Sequence, residues 1–399
     1  MTIEEFNSKY LVNRENTNSQ KWETLKDRRF KTSGLLPMWV ADMEFRAPDE
    51  VIEALNKRVN HGVFGYTVLW DSYFEAFFNW QKSRYNIDLK EEWINFSTGI
   101  VTALYWLVNA FTNKGDSVVI LTPVYYPFHN AVKDNGRNLV KCELKNDNGV
   151  FSIDFEKLEN DIKNNKAKLM IFCNPHNPAG RVWTDEEIDR VFDICKKYNL
   201  YIISDEIHQD MNLGIRPFIS ALSIKNKEKY LDRLIVLSSA SKTFNLACLL
   251  NSHIIIPDEK TREIYSKYVD TVNRTELSLL GMVATEAAYR YGADWLDGLL
   301  KTIKRNYEYI RDELKEKVPD IITSPLEGTY LPFIDLRKVV TPNRVKEFIQ
   351  DDCKIAIDFG EWFSDNCKGF IRVNIATDFK YIEEFVNKVT SQLKNKNYK

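Results

Sequence analysis

The chain has 399 residues, 44% hydrophobic and 28% charged, with a formal net charge of −2 at neutral pH. That length supports one large domain beside a smaller one and can bury a large core. The near-neutral balance excludes a nucleic-acid-binding surface built on excess lysine and arginine, and no apolar run approaches the ~18 residues of a membrane helix.

The N-terminal stretch MTIEEFNSKYLVNREN is polar and lacks the apolar centre of a signal peptide. The six cysteines (Cys142, Cys173, Cys195, Cys248, Cys353, Cys367) form no CxxC pair, and several lie in apolar runs. They read as reduced, buried thiols of a cytoplasmic protein. Further along, STGIVTALYWLVNAF places Gly99 before a helix with Ile100, Leu104, Leu107 and Phe111 on one face.

From about Asp116 short β-branched runs alternate with helical patterns: SVVILTP, KLMIFCNP, LYIISDEI, RLIVLSS and SHIIIP. Bounded by Pro, Asn, Asp or Ser, these runs predict buried parallel strands of an α/β domain. Between them, TDEEIDRVFDICKKY predicts a helix, with Thr184 and Glu187 as a capping box and Ile188, Val191, Phe192 and Cys195 facing inward. After about Thr285 comes a long helical stretch, WLDGLLKTIKRNYEYIRDELKEKV, then short strands and turns. The expected division is a large α/β domain over 46–285 and a smaller α+β domain from 1–45 and 286–399. The lysine-rich end KNKNYK reads as a solvated tail.

Ligands of such sheets bind at the carboxyl ends of the strands, and the chemistry-bearing residues fall there. Lys242 follows RLIVLSS among small hydroxyl residues. An ordinary lysine is neutral in only roughly one molecule in 2,500 at pH 7, so a nucleophilic role requires burial or a neighbouring cation. Ser239 to Lys242 also fits the S-x-x-K pattern of serine hydrolases, with Ser364-Asp365-Asn366 as its S-D-N, but no K-T-G follows. Asp205 ends a strand, either as a satisfied loop carboxylate or as counter-ion to a cationic ring nitrogen. A pair of that kind, about 4 Å apart at an effective dielectric near 20, is worth about 4 kcal/mol.

The helix start after Gly99, together with Ser239 and Ser241, could cradle a phosphate. Tyr125 and Tyr126 follow a strand between two prolines, placed for core packing or for stacking on a planar ring. Arg372 sits inside the apolar run GFIRVNIA, where it meets a structural carboxylate or awaits a substrate carboxylate. His176 and His208 lack metal-ligand spacing, so no metal is expected.

Together these residues resemble the fold-type I pyridoxal-phosphate enzymes of the class I/II aminotransferase superfamily, and within it the cystathionine β-lyase and cysteine C–S lyase subgroup. The matching segments, in order, are PMWVADMEF, GVFGYT, PVYYPF, NPHNPAGRVWT, SDEIHQD, SKTFNLA and FIRVNIAT, which span nearly the whole chain. The resemblance implies an α/β large domain with a mostly parallel sheet flanked by helices, plus a smaller α+β domain. It implies pyridoxal 5'-phosphate held as a Schiff base on Lys242, with Asp205 on the ring nitrogen, Asn177 on the ring hydroxyl, His208 nearby and Tyr125 stacked on the ring. The Ile100 and Val101 amides with Ser239 and Ser241 would hold the phosphate. Tyr66 would reach the partner subunit's phosphate in a homodimer with shared sites. Arg372, with the backbone near Ala41, would bind the carboxylate of a small amino-acid substrate.

Two positions depart from the broader family. Leu250 stands where many aminotransferases carry a phosphate-binding arginine, which the lyase subgroup generally lacks, and Cys248 replaces a glycine or alanine. The implied activity is β-elimination from L-cystathionine or cysteine S-conjugates, giving pyruvate, ammonia and a thiol. The alternatives are an aminotransferase using the same residues and a catalytically idle cofactor-binding regulator. No nucleic-acid or membrane partner is expected.

Overall fold

In the computed structural model the described residues are 1–26, 30, 32–272 and 277–399. Seven strands form the central sheet: β1 Ile94–Ser97, β2 Ser117–Thr122, β3 Asn138–Glu143, β4 Leu169–Cys173, β5 Tyr201–Asp205, β6 Leu234–Ser238 and β7 Ser252–Ile255. Their spatial order is β1-β7-β6-β5-β4-β2-β3. Every inner strand is apolar on both faces. Val119 and Leu121 of β2 point into one buried cluster, while Val118 and Ile120 point into a second, which also takes Ile100, Leu104 and Leu107. A sheet buried on both sides is what continuous Val/Ile/Leu runs encode.

The expectation of parallel strands holds for β2, β4, β5 and β6 but not for β7, which runs antiparallel to both β6 and β1. A parallel return needs a crossover, usually a helix laid along the sheet face. The chain between Ser239 and Asn251 instead holds only the short helix Ala240–Thr243 and a 3₁₀ turn, Ala247–Leu249. It turns back at the same end of the sheet. Ser252, the first residue of β7, therefore lies among the carboxyl ends of the other strands.

The helix Asp185–Lys197 forms with its predicted box: Thr184 Oγ1 accepts from Glu187 N at 3.1 Å, and Glu187 Oε2 accepts from Thr184 N at 3.0 Å. Toward the C-terminus, Ile322–Thr323, Phe333–Asp335, Phe370–Arg372 and Asp358–Phe359 make a four-stranded antiparallel sheet. The long helix Ala293–Lys317 packs with the helix Phe379–Asn395 and with the N-terminal helix Ile3–Tyr10. A Cβ on Gly298 would sit 2.6 Å from the Phe6 ring, so this crossing depends on glycine. Leu36–Pro37 pairs in parallel with Ile355–Ala356, tying the N-terminal segment to the C-terminal part.

The C-terminal end is not a solvated tail. Tyr398 is buried and takes a hydrogen bond from Gln392, and Lys396 pairs with Glu347 and Asp352 at 2.7 and 2.8 Å. The lysine content masked one aromatic anchor. Five cysteines are buried as expected, but Cys248 is exposed on its 3₁₀ turn. No helix among the described residues is long and apolar enough to cross a membrane.

Candidate active site

A cavity of about 200 Å³ opens at the carboxyl ends of the parallel strands. Its lining includes Ala41, Ile100, Val101, Tyr125, Asn177, Asp205, His208, Ser241 and Lys242, so nine positions singled out from the sequence meet in one place. A larger cavity of about 500 Å³, lined by Thr67, Leu69, Trp106 and Asp270 among others, holds none of these groups.

Lys242 lies on the helical turn after β6, and its Nζ donates to the Ala41 carbonyl at 2.6 Å. Burial lowers its pKa to about 8, and nearby Arg372 acts in the same direction, while Asp42 and Asp205 oppose it. The amine is thus far closer to neutral at physiological pH than an ordinary lysine. Two asparagines deliver Ala41 to it. Asn374 Nδ2 donates to Asp42 O at 2.7 Å, and Asn245 accepts from Met43 N at 3.1 Å while donating to Met43 O at 3.0 Å. Tyr330 Oη donates to the same Ala41 carbonyl at 2.9 Å.

Asp205 ends β5 and is buried, with one backbone partner, Ile207 N, at 3.1 Å. Burial raises its pKa to about 7, against the pull of that amide and of Lys242. Such a carboxylate favours a cation placed beside it. His208, also buried, is lowered to about 3 by burial and by the positive charges of Lys242 and Arg372, so its ring is neutral. Its Nδ1 has no hydrogen-bond partner.

On the same lining the helix Ile100–Phe111 begins without a side-chain cap, and a Cβ on Gly99 would meet no atom within 4 Å. Gly99, Ile100, Val101 and Ser241 share the cavity lining, so an uncapped helix start and a hydroxyl lie together, an arrangement suited to an anion.

Arg372 stands behind Asn177, outside the lining. Its Nη1 donates to Asn177 Oδ1 at 2.9 Å and its Nη2 pairs with Asp358, so this arginine does meet a structural carboxylate. Ser239 also lies one layer back: its Oγ accepts from Ser241 N at 3.1 Å and is 2.8 Å from both Ser241 Oγ and Asn251 O. Tyr66 is not brought to this cavity and is 96% exposed. Ser364, the S-D-N serine, bonds Glu143 at 2.9 Å and lies outside the lining.

Sequence reasoning missed Tyr330, Asp358, Asn245 and Asn374. Asp358 carried a usable signal: an acid inside the apolar run KIAIDFG, as costly to bury alone as Arg372.

A family model described as aminotransferase class I and II matches residues 40–389. The chain belongs to this family. Cystathionine beta-lyase PatB of Bacillus subtilis (strain 168) is 33% identical over 378 residues, covering 94% of this chain and 97% of that protein. Cystalysin from Treponema denticola, whose crystal structure contains a pyridoxal 5'-phosphate cofactor, superposes with a TM-score of 0.91 at 36% identity over 96% of this chain and 98% of that one. The PLP-bound C–S lyase from Staphylococcus hominis gives 0.89 and 34%, over 96% and 97%. The aminotransferase-family chain therefore has the fold-type I architecture expected from its sequence.

Proposed function

We propose that this protein is a pyridoxal 5'-phosphate-dependent carbon–sulfur β-lyase that cleaves L-cystathionine or related cysteine S-conjugates to pyruvate, ammonia and a thiol. The observation that carries the reading is the pairing of an amine lowered by burial to a pKa of about 8, Lys242, with a buried carboxylate, Asp205, on one cavity, in a chain 33% identical to a protein named cystathionine beta-lyase.

The residues present fit the cofactor. Asp205 has the burial and the scarcity of partners that suit a protonated ring nitrogen. Because Asn177 Oδ1 is taken by Arg372, its amide NH₂ is left to donate to a ring hydroxyl. Tyr125 offers its ring to the cavity, and the Ile100 and Val101 amides with Ser241 suit a phosphate. When bound, the cofactor supplies the aldehyde that takes up the substrate's amino group and the ring that accepts electrons from the α-carbon.

The chain's own part is positioning and proton transfer. Lys242 holds the cofactor at rest and, once freed, takes the α-proton, for which a pKa of about 8 suits neutral conditions. Asp205 keeps positive charge opposite it, so electrons move away from the α-carbon. Neutral His208 adds no charge of its own. Arg372 and the Ala41 backbone receive the substrate's carboxylate. Loss of the sulfur substituent from the β-carbon and hydrolysis of the remaining enamine then give thiol, pyruvate and ammonia.

The catalytic groups come from both of the proposed units, with Ala41 and Arg372 in 1–45 and 286–399, and Lys242 and Asp205 in 46–285. A homodimer is part of the proposal. Val63, Phe64, Tyr66 and Val68 expose 58, 60, 96 and 78% of their surface in one short segment, which suits a partner subunit whose phosphate Tyr66 would reach. The second reading, an aminotransferase, is favoured by the family's own description. Assay of L-cystathionine for thiol, pyruvate and ammonia in equal amounts, with Lys242→Ala as the blank, tests the proposal; no pyruvate from the wild type would refute it.

A further inference from the structure

The arginine read above as the carboxylate receptor already holds a carboxylate. Asp358 and Arg372 are register partners across an antiparallel strand pair, and their charged ends pair with 4% and 3% of the side chains exposed. The other terminal nitrogen, Nη1, donates to Asn177 Oδ1 at 2.9 Å, and the Phe363 ring centroid lies 4.8 Å from the guanidinium carbon. Nε is buried and has no acceptor. The fork is thus charge-balanced and held on two sides, with Nε still unpaired.

Burying a guanidinium without a counter-ion is costly, and Asp358 removes that cost at rest. The same pairing acts against an incoming anion. A carboxylate at a bare buried arginine meets a full positive charge; here it meets an ion pair and has to share the fork with Asp358.

We infer that Asp358 is a specificity-determining positioning residue, which orients Arg372 and holds down its affinity for carboxylates. The inference rests on the reading of Arg372 as the carboxylate receptor. The substrate class it implies is an amino acid held mainly through its amino group and sulfur-linked side chain, with the carboxylate as the weaker handle. Simple carboxylic acids of the cell would then compete poorly for the site.

The probe is propionate, a carboxylate with no amino group, with propionamide as its uncharged control. Dissociation constants by ligand-observed NMR are compared for cofactor-loaded wild type, Asp358→Asn, Asp358→Ser and Arg372→Ala, each checked for folding by circular dichroism. Asp358→Asn keeps the shape and an acceptor while removing the charge, and should bind propionate on the order of tenfold more tightly with propionamide unchanged. Asp358→Ser carries the same test should the asparagine variant not fold. If neither gains affinity while Arg372→Ala loses it, the inference about Asp358 is overturned and the reading of Arg372 stands. If Arg372→Ala binds propionate as the wild type does, the reading of Arg372 fails, and the inference with it.

Discussion

The amine of Lys242 donates to the carbonyl oxygen of Ala41 at 2.6 Å, joining the turn after β6 to a segment some two hundred residues earlier in the chain. This contact holds the amine over the cavity without a carboxylate in direct contact, so burial governs its charge. In cofactor-free protein, trapping of added pyridoxal 5'-phosphate by borohydride should map to Lys242 and rise with pH through a midpoint near 8. A midpoint near 10, or label on another lysine, contradicts the assignment.

Asp205 should trade stability for function. Its carboxyl is raised by burial to about 7 in the folded protein, against about 3.9 unfolded. Folding therefore favours the protonated form: this group's contribution to stability is full below pH ~4, is lost between ~4 and 7, and is absent above that. In cofactor-free protein at pH 8, Asp205→Asn should be more stable to denaturant by roughly 1–3 kcal/mol, with no gain at pH 4. The same variant should lose nearly all turnover. Equal stability at both pH values would show that the carboxylate is not desolvated.

Subunit mixing tests Tyr66. If its hydroxyl reaches a partner's phosphate, as proposed, losing that contact should cost ~1.5–3 kcal/mol, the range for a hydrogen bond to a charged group. If Tyr66→Phe is that impaired, mixing it with inactive Lys242→Ala should restore activity through heterodimers that carry one intact site. A protein that sediments as a monomer at assay concentration would remove the idea.

Thr184 tests the large sheet's packing independently of catalysis. Thr184→Ala removes the hydroxyl half of the capping box on Asp185–Lys197 and should cost about 1 kcal/mol of stability, seen as a lower denaturant midpoint with unchanged slope.

The sheet was legible because its inner strands are buried on both faces and bounded by turn residues, and the candidate site because parallel strands gather such groups at one end. What stayed hidden was set by contacts distant in sequence. Nothing local marks β7 as antiparallel; the short path from Ser239 to Asn251 decides it. Asn245 and Asn374 look like loop asparagines until the backbone they hold, from Val40 to Phe45, is in view. Asp358 becomes meaningful only when register sets it opposite Arg372. Cys248 and Tyr398 show the limit of composition: a cysteine ends up in solvent and a tail tyrosine in the core.

Elimination, and not amino transfer, is the reaction proposed for the site around Lys242. Elimination frees the site for another substrate without help, whereas amino transfer stalls after one event until a keto acid arrives. The direct measurement is the number of pyruvate molecules formed per active site from L-cystathionine with no keto acid present. A β-lyase forms pyruvate continuously over many turnovers, with matching thiol. No pyruvate in that assay, with rapid amino transfer to an added keto acid, would contradict the proposal.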